Sequence, residues 1–446
     1  MLSTVAAIAT PPGTGGIAII RISGGDAVKV ADALFKGKTP LDKVKPYYMQ
    51  YGKIHNPKGE LLDNGLCVVM RAPASFTGED VVELHIHGGR LLSERVLEAA
   101  LLAGAEMAPP GEFTKRAFLN GKLDLTQAEA VADIIGGKTE LALNRAVNQL
   151  EGGLSDEINR IRDLVLDILS QIMVFADYPE EDIDTLKKQD FIRMLKDALN
   201  ALSTLLNTAK GGIMLREGLL CVIAGRPNTG KSSLMNALLG EDRAIVTDIA
   251  GTTRDAVEQN INMGGIPVTL CDTAGIRRAE GEAEEIGVRK AMEYIENADI
   301  CLMVYDSSDI GDEEIYETIK DKKHINVFNK NDLKRISSCG DAPWVSVSAK
   351  TGDGIDLLKK EIVRIAADGG VDFSAKSMIT NLRQRDAAAR AAEYIRAALN
   401  AINQDIPADL AAGDLESALS ALGEIDGRTV SDEVVERIFE RFCLGK

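Results

Sequence analysis

Apolar positions change their spacing three times along the chain. Residues 5–9, 17–22, 66–71 and 81–86 are short apolar or alternating runs separated by Pro and Gly turns, and residues 91–102 carry a helical pattern. Period-two runs bounded by turn residues predict strands, so the first 118 or so residues read as α+β. From about Leu123 the spacing lengthens. Leu154, Ile158, Ile161, Leu164, Val165, Ile168, Leu169 and Ile172 recur at three- and four-residue steps, one face of a long amphipathic helix, and residues 191–206 repeat the pattern. The helical pattern is expected to stop near Gly211-Gly212, where βα alternation takes over until about Gly370. Helices return over 382–399, 415–422 and 434–442. Neither helical stretch offers a closed core by itself. The expectation is that they pack on each other around an inserted βα unit whose ends lie close together; the alternative is two independent helical domains.

Composition narrows the function classes. The 446 residues suffice for two or three domains, and 45% apolar with 27% charged residues is an ordinary globular balance. A net charge of -17 argues against a molecule that grips nucleic acid through its overall field, although a local basic patch or a basic partner could bring RNA close. The cysteines, Cys67, Cys221, Cys271, Cys301, Cys339 and Cys443, are scattered with no C-x-x-C pair, which predicts reduced thiols in a cytoplasmic protein. His85 and His87 share one face of a strand; structural histidines are favoured there over a metal pair. The opening MLSTVAAIATPPG lacks a basic flank and predicts a strand, not a signal peptide, and no apolar run is long enough to span a membrane.

Candidate chemistry concentrates in the βα region. A strand at 219–224 runs into Gly225-Arg226-Pro227-Asn228-Thr229-Gly230-Lys231-Ser232-Ser233 and a helix from Leu234. This is G-x-x-x-x-G-K-S in its strand–loop–helix setting. The glycines let backbone N–H groups curl around phosphates, Lys231 brings charge to the β- and γ-phosphates, and Ser232 brings a hydroxyl to Mg²⁺. That loop alone does not separate ATP from GTP. Asp272-Thr273-Ala274-Gly275 follows a strand at 266–271; Asp272 can hold Mg²⁺ through its water and the Gly275 N–H can meet the γ-phosphate. Asn329-Lys330-Asn331-Asp332 follows a strand at 325–328. Asp332 can accept from the ring N–H and exocyclic amine of guanine, whereas adenine would present a lone pair to it. Asn329 can bond the base edge and the Lys330 stem can cover its face. Ser348-Ala349-Lys350, after a strand at 344–347, can place a backbone N–H on the guanine oxygen. Gly251-Thr252-Thr253-Arg254-Asp255 lies between the first two motifs, with Thr253 placed as a switch threonine on Mg²⁺. The motifs in this order predict a GTP hydrolase. Ile276 stands where Ras-type proteins carry a water-orienting Gln, so another group must do that work. The acids of Glu280-Gly281-Glu282-Ala283-Glu284-Glu285 are the nearest supply, with a solvated acidic loop as the other reading, and Arg254, Arg277 and Arg278 are candidate arginine fingers.

The stretches GRPNTGKSS, DRAIVTDIAGTTRD (242–255), DTAGIRR and FCLGK (442–446) together resemble the MnmE/TrmE family of tRNA-modification GTPases. ATPPGTGGIAIIRISG (9–24), SFTGEDVVELHIHGG (75–89) and PGEFTKRAFLNGKLDLTQAEA (110–130) extend the resemblance over essentially the whole chain. It implies a multidomain α/β and α fold: an N-terminal α+β folate-binding and dimerisation domain (1–118), a discontinuous helical domain (119–213 and 373–446), and an inserted Ras-like P-loop GTPase domain (214–372). It implies activation by K⁺, with Asn228, Thr247, Ile249 and Thr252 around the ion and Thr247, Asp248, Ile249, Ala250, Gly251, Thr252 and Thr253 lining GTP. Magnesium falls to Ser232 and Thr253. Among the acids, Glu284 matches the catalytic glutamate. A tetrahydrofolate one-carbon derivative is expected at Arg21, Glu83, Lys122 and Lys446, cations suiting its carboxylates and a carboxylate its pterin edge. Cys443 matches a cysteine considered functional in the family; a small apolar plug is the other reading. The family often reads C-I-G-K where this chain has Leu444. The implied function is a homodimer that works with an FAD-containing partner protein on the wobble uridine of certain tRNAs, with tRNA held mainly through the complex. The competing reading is an Era-like ribosome-assembly GTPase, which predicts a basic RNA-binding domain after the GTPase region.

Overall fold

The computed structural model describes residues 3–177, 188–240, 258–272, 282–307, 313–334, 342–367, 373, 375–404 and 408–445. They form two compact units: residues 1–135, 149–158 and 420–446 in the first, and residues 136–148 and 159–419 in the second.

The first unit is built on a seven-stranded sheet: β1 (Val5–Ile8), β2 (Ile17–Ser23), β3 (Phe35–Gly37), β4 (Gln50–His55), β5 (Leu61–Met70), β6 (Val81–His87) and β7 (Glu106–Met107), in the order β3-β4-β5-β6-β2-β1-β7. Alternation decides its faces. Ile20, Ile22, Val82, Leu84 and Ile86 bury against Ala27, Val30, Ala31 and Leu34 of the Ala27–Leu34 helix and Val96, Leu97, Ala99 and Ala100 of the Arg90–Leu102 helix. The intervening residues, Arg21, Glu83 and His85 among them, therefore point to the opposite face. A smaller cluster joins Leu125 and Ala128 to Val435 and Phe439, with Phe118, Ile438 and Phe442 against it. Gly111 (φ 70) is needed there, because a Cβ would lie 2.7 Å from the Phe439 carbonyl oxygen.

The second unit holds a six-stranded sheet: β8 (Leu219–Ala224), β9 (Glu258–Met263), β10 (Ile266–Asp272), β11 (Ile300–Asp306), β12 (His324–Asn329) and β13 (Trp344–Ser346), in the order β13-β12-β11-β8-β10-β9. All pairings are parallel except the β9–β10 hairpin. A parallel sheet is buried on both faces, so its strands are near-continuous apolar runs. Cys221 and Ile223 face the Lys231–Leu239 and Ile355–Ala366 helices, while Val222 and Ala224 face the side carrying Ile295 and Ile319.

The helical stretches on either side of this sheet in sequence meet in space: the Lys188–Glu217 helix packs along the Leu382–Asn403 helix. One expectation is corrected here. The helix does not stop near Gly211-Gly212 but runs on to Glu217, bringing Met214 and Leu215 into the core of the sheet. Gly212 is small because the chain crosses it closely: a Cβ there would lie 2.0 Å from the Ile379 carbonyl oxygen. The Thr208 hydroxyl accepts from the Ile379 N–H at 3.1 Å beside it. Two later helices also differ from the periodicity, spanning Ala408–Asp426 and Asp432–Phe439. Among the described residues no helix is long and apolar enough to cross a membrane.

Candidate functional site

The site lies where β8, β10, β11, β12 and β13 end, at the carboxyl edge of the second sheet, the usual ligand edge of a parallel α/β sheet. The loop after β8 turns through Gly225 (φ 146), Asn228 (φ 66) and Gly230 (φ 90) into the Lys231–Leu239 helix. Gly225 and Gly230 have no room for a side chain: a Cβ would meet the Val304 carbonyl oxygen at 2.4 Å and the Asn329 amide nitrogen at 2.3 Å respectively. Lys231 is buried, and its ammonium donates to the Gly225 and Arg226 carbonyls at 2.8 and 2.6 Å, across the concavity of the loop. Thr229 braces the same turn by donating to the Arg226 carbonyl at 3.0 Å, while Ser233 is exposed. The Ser232 hydroxyl donates to an Asp272 carboxylate oxygen at 2.8 Å. A hydroxyl and a carboxylate so close beside a phosphate loop are hard oxygen donors that fit Mg²⁺.

The base-recognition loop is clamped to this centre by Asn329, which is 2% exposed. Its amide nitrogen donates to the Thr229 carbonyl and its amide oxygen accepts from the Ala349 N–H, both at 3.0 Å. These bonds join the three loops to each other and use one of the two amide N–H groups; the expected bond to the base edge needs only the other. Lys330 (φ 64) donates to the Asn228 carbonyl at 2.9 Å and to Asp306 at 2.7 Å, its stem lying along the loop. Asp332 is exposed, with one oxygen accepting from the Ser348 hydroxyl at 2.7 Å. Ser348 N–H is taken by the Asp353 carbonyl and Ala349 N–H by Asn329, so of this trio Lys350 alone has a backbone N–H without a partner among the described residues. Sequence reasoning missed Asp306, the last residue of β11, and Ser307, which follows it; Ser307 N–H and hydroxyl both donate to the Asn329 carbonyl, at 3.0 and 2.6 Å. The polar residue closing an otherwise apolar strand was the available signal.

Several expected members lie outside the described residues: Thr247, Asp248, Ile249, Ala250, Gly251, Thr252, Thr253, Thr273, Ala274 and Gly275. Glu284 falls in the Glu282–Asn297 helix, with its side chain outside the described set. Cys271, beside Asp272, is no nucleophile: burial, then the Glu258 and Asp272 charges, push its thiol up to about 12.

In the first unit Arg21 and Glu83 are cross-strand neighbours, joined at 2.8 Å. Arg21 also donates to the Gly445 carbonyl at 3.5 Å and lies 5.5 Å from the Phe113 ring centroid. His85 stands 3.4 Å from the other Glu83 oxygen, while His87 bonds Asp63 at 2.9 Å. Burial raises the Asp63 pKa, but the backbone and side-chain hydrogen bonds from His87 outweigh it and leave the group lowered. Lys122 is exposed and donates to the Pro73 carbonyl at 3.2 Å, apart from the Arg21–Glu83 pair in its contacts; Lys446 lies outside the described residues. Cys443 is exposed, which overturns the apolar-plug reading: the aromatic rings of Phe439 and Phe442, 4.9 Å apart, fill that place.

A parallel sheet whose carboxyl edge carries a phosphate loop, an aspartate paired with its serine, and an N-K-x-D loop defines a Ras-like P-loop GTPase fold. Comparison with known proteins narrows the class. The model of the MnmE helical domain matches residues 125–443 and that of the GTP-binding protein TrmE N-terminus matches residues 4–122. The chain is 45% identical to the tRNA modification GTPase MnmE of Roseiflexus sp. (strain RS-1) over 467 aligned positions, covering 99% of each. It is 44% identical to that of Roseiflexus castenholzii over 464 positions, again 99% of each. With the one from Ligilactobacillus salivarius it shares 43% over 455 positions, 99% of this chain and 98% of that one. The chain belongs to the MnmE/TrmE family.

Proposed function

We propose that the chain hydrolyses GTP as part of tRNA modification, and that with an FAD-containing partner it adds a C5 aminomethyl-type group to the wobble uridine of certain tRNAs, drawing on a tetrahydrofolate one-carbon unit. The observation that carries the GTPase half is the meeting of phosphate loop, Asp272 and base loop at one sheet edge, held together by Asn329. In this reading Asn228, Thr229, Gly230, Lys231, Ser232 and Ser233 receive the phosphates, and Asp332 with Ser348, Ala349 and Lys350 receives guanine. The Ser232–Asp272 pair fits Mg²⁺, with Thr253 as a further ligand, and that ion supplies charge neutralisation on the phosphates. K⁺ is proposed at Asn228 together with Thr247, Ile249 and Thr252. Glu284 orients the attacking water in place of a glutamine.

For the one-carbon donor, Arg21 and Glu83 supply what a folate needs, a cation for carboxylates beside a carboxylate for the pterin donors, with Lys122 and Lys446 as further cations. The domain division at 118, 213 and 372, a homodimer, and tRNA held mainly by the complex belong to the same proposal; the net charge of -17 supports leaving most of the RNA to the partner. The test is nucleoside analysis of tRNA from a strain lacking this chain. The modified wobble uridine should vanish, return with the wild type, and fail to return with Glu284→Ala. Modified uridine persisting in the deletion strain would refute the proposal.

A further inference from the structure

The described chain has non-glycine residues with left-handed backbone at Tyr47, Asn228 and Lys330. Such conformations persist only where the surroundings over-determine them, and they gather at functional sites. Two of the three are joined by one hydrogen bond, from the Lys330 ammonium to the Asn228 carbonyl at 2.9 Å. The same ammonium is drawn from its other side by Asp306, at 2.7 Å. Asp306 ends β11 opposite Asn329 of β12, so its place is set by the sheet and not by the loops it serves. Its side chain and that of Lys330 are 21% and 34% exposed, sheltered enough for a charge-assisted bond to survive solvent.

We propose that Asp306 is a positioning residue of the nucleotide site: by holding the Lys330 ammonium against the Asn228 carbonyl, it locks the base-recognition loop to the phosphate loop before nucleotide arrives. The inference rests on the guanine-nucleotide reading above. Without Asp306 the Lys330 ammonium can swing to water, its stem leaves the face where the base would lie, and Asn228 loses a reason to stay left-handed. The consequence falls on nucleotide retention more than on turnover. Asp306 is not itself a catalytic residue, since only Lys330 would touch the ligand.

The test uses the full chain and a fluorescent GDP analogue. Asp306→Ala should weaken its binding roughly tenfold, chiefly through faster dissociation, and should raise KM for GTP more than it lowers kcat. Asp306→Asn keeps an acceptor without the charge and should recover part of the loss, which a merely structural gap would not allow. In a Lys330→Ala background the Asp306→Ala change should have little further effect, because the ammonium through which it acts on the nucleotide site is gone. A tenfold loss that persists in that background, or wild-type binding by Asp306→Ala, overturns the proposal. The wild type separates the two readings: failure to bind the GDP analogue would sink the guanine site and this inference together, whereas wild-type binding with an unaffected Asp306→Ala sinks the inference alone.

Discussion

Replacing Asn329 by alanine should unlatch the nucleotide site. The side chain is 2% exposed and makes two bonds, to the Thr229 carbonyl and the Ala349 N–H, each at 3.0 Å. Each bond contributes about 1 kcal/mol net, and leaving a sheltered partner unsatisfied costs about 1–3 kcal/mol more. Thr229 is buried and Ala349 half-buried, so the orphaned groups recover only part of their hydration. The sum is about 3–5 kcal/mol. At about 2–4 °C per kcal/mol for a unit of this size, the melting transition should fall by about 6–20 °C. The transition to follow in a thermal scan is the one that GDP raises, because ligand binding stabilises only the unit that holds the ligand. Asn329→Asp is the paired control. It keeps the acceptor for Ala349 but sets a carboxylate against the Thr229 carbonyl, so it should not rescue. A melting point within about 2 °C of wild type, with GDP binding unchanged, would refute the clamp.

Three further outcomes follow from the same geometry. Gly212→Val should destabilise the packing of the Lys188–Glu217 helix by at least about 2 kcal/mol, visible as a lower denaturant midpoint, since a Cβ would lie 2.0 Å from the Ile379 carbonyl oxygen. Arg116→Met should cost about 3–5 kcal/mol, because it strands Glu79 and Glu112, which now sit 3.0 and 2.8 Å from a guanidinium that is 1% exposed; a midpoint equal to wild type would contradict this. A thiol reagent at pH 8 should modify Cys443 in the native protein and spare Cys67, Cys221, Cys271 and Cys301, as peptide mass spectrometry would read. Burial pushes the Cys67 and Cys271 thiols up to about 12 and Cys301 to about 11, and raises Cys221 further, so their thiolates are scarce until the chain unfolds.

The nucleotide loops were legible in the sequence because they are local: a strand, a turn and a cap occupy consecutive residues, and their spacing alone identifies them. The two faces of β2 and β6 were legible for the same reason, through alternation. What escaped was tertiary. Gly212 looked like a helix end, since glycine usually is one, and only the crossing at Ile379 explains its place inside a helix. Asn329 reads as a base contact from its motif, but its bonds to loops about a hundred and about twenty residues away show only in the fold. Asp306 carried no motif, and only the end of β11 beneath Lys330 gives it a role. Exposure, which speaks against the apolar-plug reading of Cys443, is likewise set by packing that no local pattern reports.

The most direct test of the central claim is nucleoside triphosphate hydrolysis by the purified chain, with GTP, ATP and XTP compared for the wild type and Asp332→Asn. The account predicts that the wild type turns over GTP and leaves ATP, since only guanine offers two donors to the Asp332 carboxylate. Asp332→Asn should lose most of its preference for GTP and gain on XTP, whose extra carbonyl can take the new amide N–H. Equal turnover of ATP by the wild type, or undiminished GTP preference in Asp332→Asn, would contradict it.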